Sequence, residues 1–268
     1  MHLTNGMDAL APLLSRTLVL VAHPDDESIS CGALLQRMRD PLVVYATDGG
    51  PEDEYFWKQY GSRENYVAVR QKEAETALAA VGVRGATWLK NEDGTAFMDQ
   101  RLFRYVPEAM ESLRQIVGER KPEVILTLAY EGGHPDHDTC NFLGKEIARE
   151  FGLPAWEAPL YFRRAGEDML LQQFHTTNGT EIELTPTEDE WQRKLAMAKA
   201  YVSQKLTVSL FENNRQEKFR PMAKYDYSRP PHEGVLNYEA WKWPITGQEV
   251  ADRLQEYRQA ERRAERAG

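Results

Sequence analysis

Short, unbroken apolar runs recur through the first two-thirds of the chain. They are Thr17-Leu18-Val19-Leu20-Val21-Ala22, Leu42 to Ala46, Ala86 to Leu89 and Val124 to Ala129. Runs of this kind, rich in β-branched and aliphatic residues, read as strands buried on both faces. Between them lie segments with apolar residues at three- and four-residue steps. These predict helices over 27–39, 63–81, 105–118 and 138–150, with Gly82 and then Gly152 and Pro154 as stop signals. The β-α alternation predicts an α/β fold: a Rossmann-like, doubly wound and mainly parallel sheet.

Past residue 155 the rhythm weakens. Pro159 to Phe162 reads as a fifth strand, and Met169 to His175 with Thr180 to Leu184 as a hairpin about Asn178-Gly179. Thr187 to Val202 reads as a helix. Asn213 to Pro244 has no clear period but carries many aromatics, which argues for an ordered, irregular flap. Gly247 to Gly268 reads as a charged helix with few apolar residues, solvated or frayed at its end. The expected organisation is one domain over 1–268, with a core over about 15–165 and an aromatic-rich extension over about 166–268.

Composition narrows the function classes. With 33 Lys and Arg against 42 Asp and Glu, the 268-residue chain carries a formal charge of −9, and no basic stripe marks a nucleic-acid surface. No apolar stretch approaches the ~20 residues of a membrane helix. Arg16 interrupts the only candidate leader, so neither a signal peptide nor a membrane association is expected. Two cysteines, Cys31 and Cys140, make no disulfide framework and suit a reducing cytoplasm. Both read as small core residues. The oligomeric state, a homo-oligomer included, is left open.

The candidate chemistry sits where two of the strands end. His23-Pro24-Asp25-Asp26-Glu27 follows the first, and His134-Pro135-Asp136-His137-Asp138 follows the fourth. Open α/β sheets bind ligands at the carboxyl ends of their strands, and strands 1 and 4 are commonly neighbours across the switch in strand order. The two clusters would then face each other. His23 and Asp26, three residues apart, share a face of the first helical turn and offer a nitrogen and an oxygen to a divalent cation. Asp25 projects differently and suits a general base. The second cluster supplies the remaining donor from His134 or His137. Three protein ligands with one open position is the pattern of a catalytic zinc site, and the donor set suits iron(II) and cobalt(II) as well.

Elsewhere the residues carry two readings. Arg70 lies among Lys72, Glu73 and Glu75, which also describes a solvated helix face. Asp93-Gly94 is a turn signal, and Asp48 ends the second strand on the same rim. Glu27, Asp136 and Asp138 suit helix starts or support of a ligand. Trp241 and Trp243 suit core packing or stacking on a sugar, and His175 and His232 stand outside both clusters.

Ala22-His23-Pro24-Asp25-Asp26-Glu27, followed after four residues by Gly32, resembles the first motif of the LmbE-like, or PIG-L, zinc-dependent deacetylases. His134-Pro135-Asp136-His137 resembles that family's second motif. The resemblance spans roughly 17–150. It implies His23, Asp26 and His137 as metal ligands, Asp25 as general base, and His134 as the group facing the carbonyl oxygen or the leaving amine. It also implies Arg70 as the partner of the base and Asp93 as a residue near the sugar. Asp48 and Asp136 join these as supporting residues. The implied activity is hydrolysis of the linear amide of an N-acetylated or N-acylated amino sugar, small or within a glycoconjugate, with one Zn²⁺ per chain. Gly32-Ala33 departs from the family's usual Gly-Gly, a change expected to shift packing slightly. The competing functions are a metal-dependent phosphoesterase, which needs more carboxylate ligands, and a non-catalytic sugar-binding module, which has no need of Asp25.

Overall fold

A computed structural model describes residues 8–164 and 168–267. Among the described residues nine strands are formed: β1 (Thr17–Val21), β2 (Leu42–Tyr45), β3 (Ala86–Trp88), β4 (Val124–Leu128), β5 (Ala155–Ala158), β6 (Tyr161–Arg163), β7 (Met169–Leu171), β8 (Ile182–Leu184) and β9 (Glu217–Pro221). The α-helices are α1 (Asp26–Cys31), α2 (Arg63–Ala80), α3 (Val106–Arg120), α4 (Pro135–Phe151), α5 (Glu188–Ala200), α6 (Lys205–Ser209), α7 (Asn237–Ala240) and α8 (Gly247–Ala267).

The main sheet runs β3-β2-β1-β4-β5-β9-β8. Its first five strands are parallel, and β9 and β8 add antiparallel to one edge. Every residue of β1, β2 and β4 is buried, as expected for strands covered on both faces. The order reverses between β1 and β4, so both motif loops leave the sheet at this switch point.

Several elements differ from expectation, each for a visible reason. The first helix stops at Cys31 and resumes as a 3-10 turn over Leu34–Arg37. Glu217 accepts the amides of Ala33 and Leu34 at 2.7 and 2.9 Å. The Ile29 carbonyl, which would have accepted Ala33 N–H, instead accepts from Lys194 Nζ and the Gln172 amide. Three distant side chains thus take over one helical turn. The α4 helix begins three residues earlier than its periodicity indicated, because Pro135 occupies the first helical position and the His134 side chain caps the Asp136 amide.

The fifth strand of the sheet is Ala155–Ala158. Tyr161–Arg163 instead pairs with Met169–Leu171 in a separate two-stranded sheet, and Ile182–Leu184 pairs with β9 rather than closing a hairpin. Within the irregular segment, β9 is an interior strand of the main sheet. Glu157 of β5 and Arg220 of β9 are both buried and joined at 2.7 Å, so charged residues stand where hydrophobic ones normally mark a strand. The terminal helix also packs: Val250, Ala251, Leu254 and Tyr257 are buried at helical spacing.

Glu217 and Lys194, 2.6 Å apart and buried, form the tie between β9, α5 and the motif helix. Removing one partner of a buried pair strands the other charge. Glu217→Ala is therefore expected to destabilise the fold by about 3–5 kcal/mol in urea denaturation. A loss below about 1 kcal/mol would mean that water replaces the carboxylate at little cost.

Candidate metal centre

The two motif loops meet. The ring centroids of His23 and His137 are 5.3 Å apart, those of His23 and His134 4.4 Å, and those of His134 and His137 5.1 Å. Asp26 lies between the loops: its Oδ1 is 3.4 Å from His137 Nε2 and its Oδ2 3.5 Å from His23 Nδ1. Oδ2 also accepts the amides of Ala22 and His23, which fixes the carboxylate to the end of β1. Burial alone would raise the Asp26 carboxyl; His137 and His23 more than offset it and hold it well below the ordinary range.

Two overlapping sets of donor atoms lie within 4.8 Å of one another: His23, His134 and His137, and His23, Asp99, His134 and Asp136. Both nitrogens of His137 are buried without a hydrogen-bond partner. An unpartnered buried nitrogen such as His137 Nε2, 3.4 Å from the Asp26 carboxylate, suits a cation between the two. A His/Asp donor set of this kind fits a borderline divalent metal.

Asp25 stands beside this cluster with φ 135°, a conformation unusual for a side-chain-bearing residue. Its amide is accepted by Glu27 Oε2, and Glu27 in turn accepts the Tyr201 hydroxyl. Arg70 lies 3.4 Å from Asp25 Oδ2 and donates to the carbonyls of Gly49 and Pro24. Gly49, at φ 71°, has to be glycine, since a Cβ there would come within 2.9 Å of the Arg70 guanidinium. Burial pushes the Asp25 carboxyl upward; Arg70 opposes this and Asp26 adds to it.

His134 is oriented by its own helix. Nδ1 accepts the Asp136 amide at 3.1 Å, so in the neutral ring the proton resides on Nε2, which faces the cluster 3.4 Å from Asp99. Burial, reinforced by the neighbouring His23, holds this imidazole well below its usual range and keeps it neutral. Asp136 accepts the amides of Gln100 and Leu102 and approaches His23 Nε2 at 3.2 Å, a supporting position. Asp48 is engaged by Arg63 and by the Gly50 amide at the end of β2, and does not line the cavity.

Asp93 is elsewhere. It is exposed, and accepts the Thr95 amide and hydroxyl within its own turn. The acidic residue that reaches the site from this segment is Asp99, 3.1 Å from His23 Nε2. No local pattern distinguishes Asp99; only the fold brings it in. Cys31 and Cys140 are buried thiols in no disulfide, raised by burial, and neither belongs to the donor sets. His175 and His232 stack on each other at 4.7 Å outside the cluster.

The cluster forms the base of a 370 Å³ cavity. Its walls include Phe56, Tyr66, Tyr161, Phe211, Trp241 and Trp243, so both tryptophans face the cavity. Trp243 meets His134 edge-on at 5.1 Å.

Arg70 and Lys72 test buried against exposed pairing on one helix. Arg70→Met is expected to cost about 3–5 kcal/mol, since it leaves Asp25 unpaired in the interior. Lys72→Met, which breaks an exposed pair with Glu75, is expected to cost about 0–1 kcal/mol. Equal losses in a denaturant titration would contradict the buried pairing.

Known proteins resemble this chain in sequence and in fold. A curated relative from Bacillus cereus, a probable N-acetyl-alpha-D-glucosaminyl L-malate deacetylase 2, is 29% identical over 150 residues, covering 53% of this chain and 64% of its own. The chain thus spans less than two-thirds of that relative's length. A deacetylase triple mutant from the teicoplanin biosynthetic pathway superposes with a TM-score of 0.61 at 20% identity, over 79% of this chain and 99% of its own. The N,N'-diacetylchitobiose deacetylase of Pyrococcus horikoshii gives 0.56 at 21%, over 86% and 90%. These likenesses establish the fold. Residues 18–148, just under half of the chain and holding both motifs, match the family model of PIG-L, GlcNAc-PI de-N-acetylase.

Proposed function

We propose that this protein is a metal-dependent deacetylase that hydrolyses the N-acetyl amide of an amino sugar or of a metabolite that contains one. The supporting observation is the convergence of two motif loops on one buried His/Asp cluster, with a separately held carboxylate beside it. We assign His23, Asp26 and His137 as the ligands. Asp26 bridges the loops and both His137 nitrogens lack a hydrogen-bond partner, while His134, whose Nε2 also reaches the donor cluster, we place beside the ligand set. Zinc is the metal we assign.

The cation, when bound, supplies a Lewis acid for the carbonyl and lowers the pKa of water. The chain's residues do the rest. Asp25, positioned by Arg70 and Glu27, accepts the proton of the attacking water. His134 Nε2–H donates to the oxygen on which negative charge develops. The proton held by Asp25 then passes to the nitrogen as the C–N bond breaks, leaving acetate and a free amine. We read the segment beyond 166 as part of the same catalytic unit, because Tyr201, Glu217 and the cavity tryptophans come from it.

Amine release from N-acetylated sugars, free and conjugated, is expected to require metal and to stop with a chelator. Asp25→Asn should retain one equivalent of zinc while kcat falls by about 10²–10⁴; near-native turnover would remove Asp25 as the base. His137→Ala should lose the metal by elemental analysis, and stoichiometric zinc in that variant would remove it from the ligand set.

A further inference from the structure

We propose that the substrate carries an uncharged, apolar group at the end that points away from the cleaved amide. The inference rests on the deacetylase reading and narrows its substrate class. The ionisable groups of the cavity lie deep, with His23, Asp26, His134 and His137 at most 7% exposed, and the more exposed polar lining, Gln100, Gln204 and Thr207, is uncharged. Large apolar side chains are exposed at its walls: Phe56 is 37% exposed, Trp241 41% and Leu210 53%. These three come from separate segments: the 54–56 turn, the end of α7 and the end of α6. Leu206, on α6 beside the lining residue Thr207, is 86% exposed. Exposed apolar residues gathered at one cavity mark a binding surface, and sites of this kind take up apolar ligand surface.

Charge argues the same way. Among the described lining residues Arg70 is the only arginine or lysine, and its guanidinium is committed to Asp25, Gly49 and Pro24. A carboxylate or phosphate on the far end of the substrate would meet no free lysine or arginine there. An alkyl or aryl aglycone would instead cover Leu210, Phe56 and Trp241.

Calorimetric titration of the zinc-loaded protein with methyl, butyl and hexyl β-D-glucopyranosides tests this without turnover. Each fully buried methylene is worth up to about fourfold in affinity. We expect hexyl to bind at least about tenfold tighter than methyl, with an increasingly negative heat-capacity change. Leu210→Ser and Trp241→Ala should flatten the series. Equal binding of methyl and hexyl glycosides, or tighter binding of a carboxymethyl glycoside, would overturn the proposal. So would an affinity gain that follows N-acyl length rather than aglycone length, measured on methyl glycosides with the Asp25→Asn protein. If the alkyl preference holds while no alkyl N-acetylglucosaminide releases amine, the deacetylase reading fails and the apolar subsite stands.

Discussion

The Asp26 carboxylate is the tie on which the site depends. One oxygen is fixed by two amides at the end of β1, and the other faces His137 on the helix that follows β4. A carboxylate buried this deeply is costly unless it is hydrogen-bonded and faces positive charge. Here the backbone supplies the hydrogen bonds and the imidazoles supply the partners. The same oxygens that would hold a cation therefore also set the distance between the two loops. The parallel pairing of β1 with β4 makes this possible, since it brings residues more than 100 positions apart to one rim.

The parallel core and the motif residues were legible because hydrophobic burial governs them. Strands β1, β2 and β4 are uninterrupted apolar runs, and His23, Asp25, Asp26, His134 and His137 stand at strand ends, where polar residues are informative. The antiparallel edge was hidden because its interior residues are charged. Glu157, Arg220, Glu217 and Lys194 are buried in mutual pairs, and no pattern based on polarity can report a strand built that way. The terminal helix was underestimated for a different reason. Its buried stripe of Val250, Ala251, Leu254 and Tyr257 is narrow, and arginines and glutamates outnumber it along the helix. Asp99 was invisible for a third reason: its role comes from the path of an irregular loop, whereas Asp93 carried the local turn signal.

The irregular second half has a structural task that its sequence does not advertise. Tyr201 donates to Glu27 and Ser203 to Glu73, while Gln204 donates to Tyr66. Gln172, Lys194 and Glu217 interrupt and recap the motif helix. Gly133 completes this fit: a Cβ there would lie 2.1 Å from the Tyr161 carbonyl, so the loop carrying His134 passes directly against β6. The metal motifs are thus local in sequence, but their rigidity is supplied from 28 to 184 residues away.

Asp25 shows what that rigidity is for. A side-chain-bearing residue at φ 135° is strained, and such strain persists only where neighbouring bonds over-determine it. Its amide is held by Glu27, its carbonyl accepts the amides of Ser28 and Ile29 and the Ser28 hydroxyl, and its carboxylate faces Arg70. The turn therefore separates two adjacent aspartates by function. Asp26 faces the histidines, while Asp25 is directed to the cavity without joining them. A relaxed helical start would place the two carboxylates about 100° apart around the helix, a direction set by helix geometry alone. The distorted turn lets the aim of Asp25 be set by Arg70 and Glu27 instead, which keeps its carboxylate apart from the histidines, as the role of base proposed for it requires.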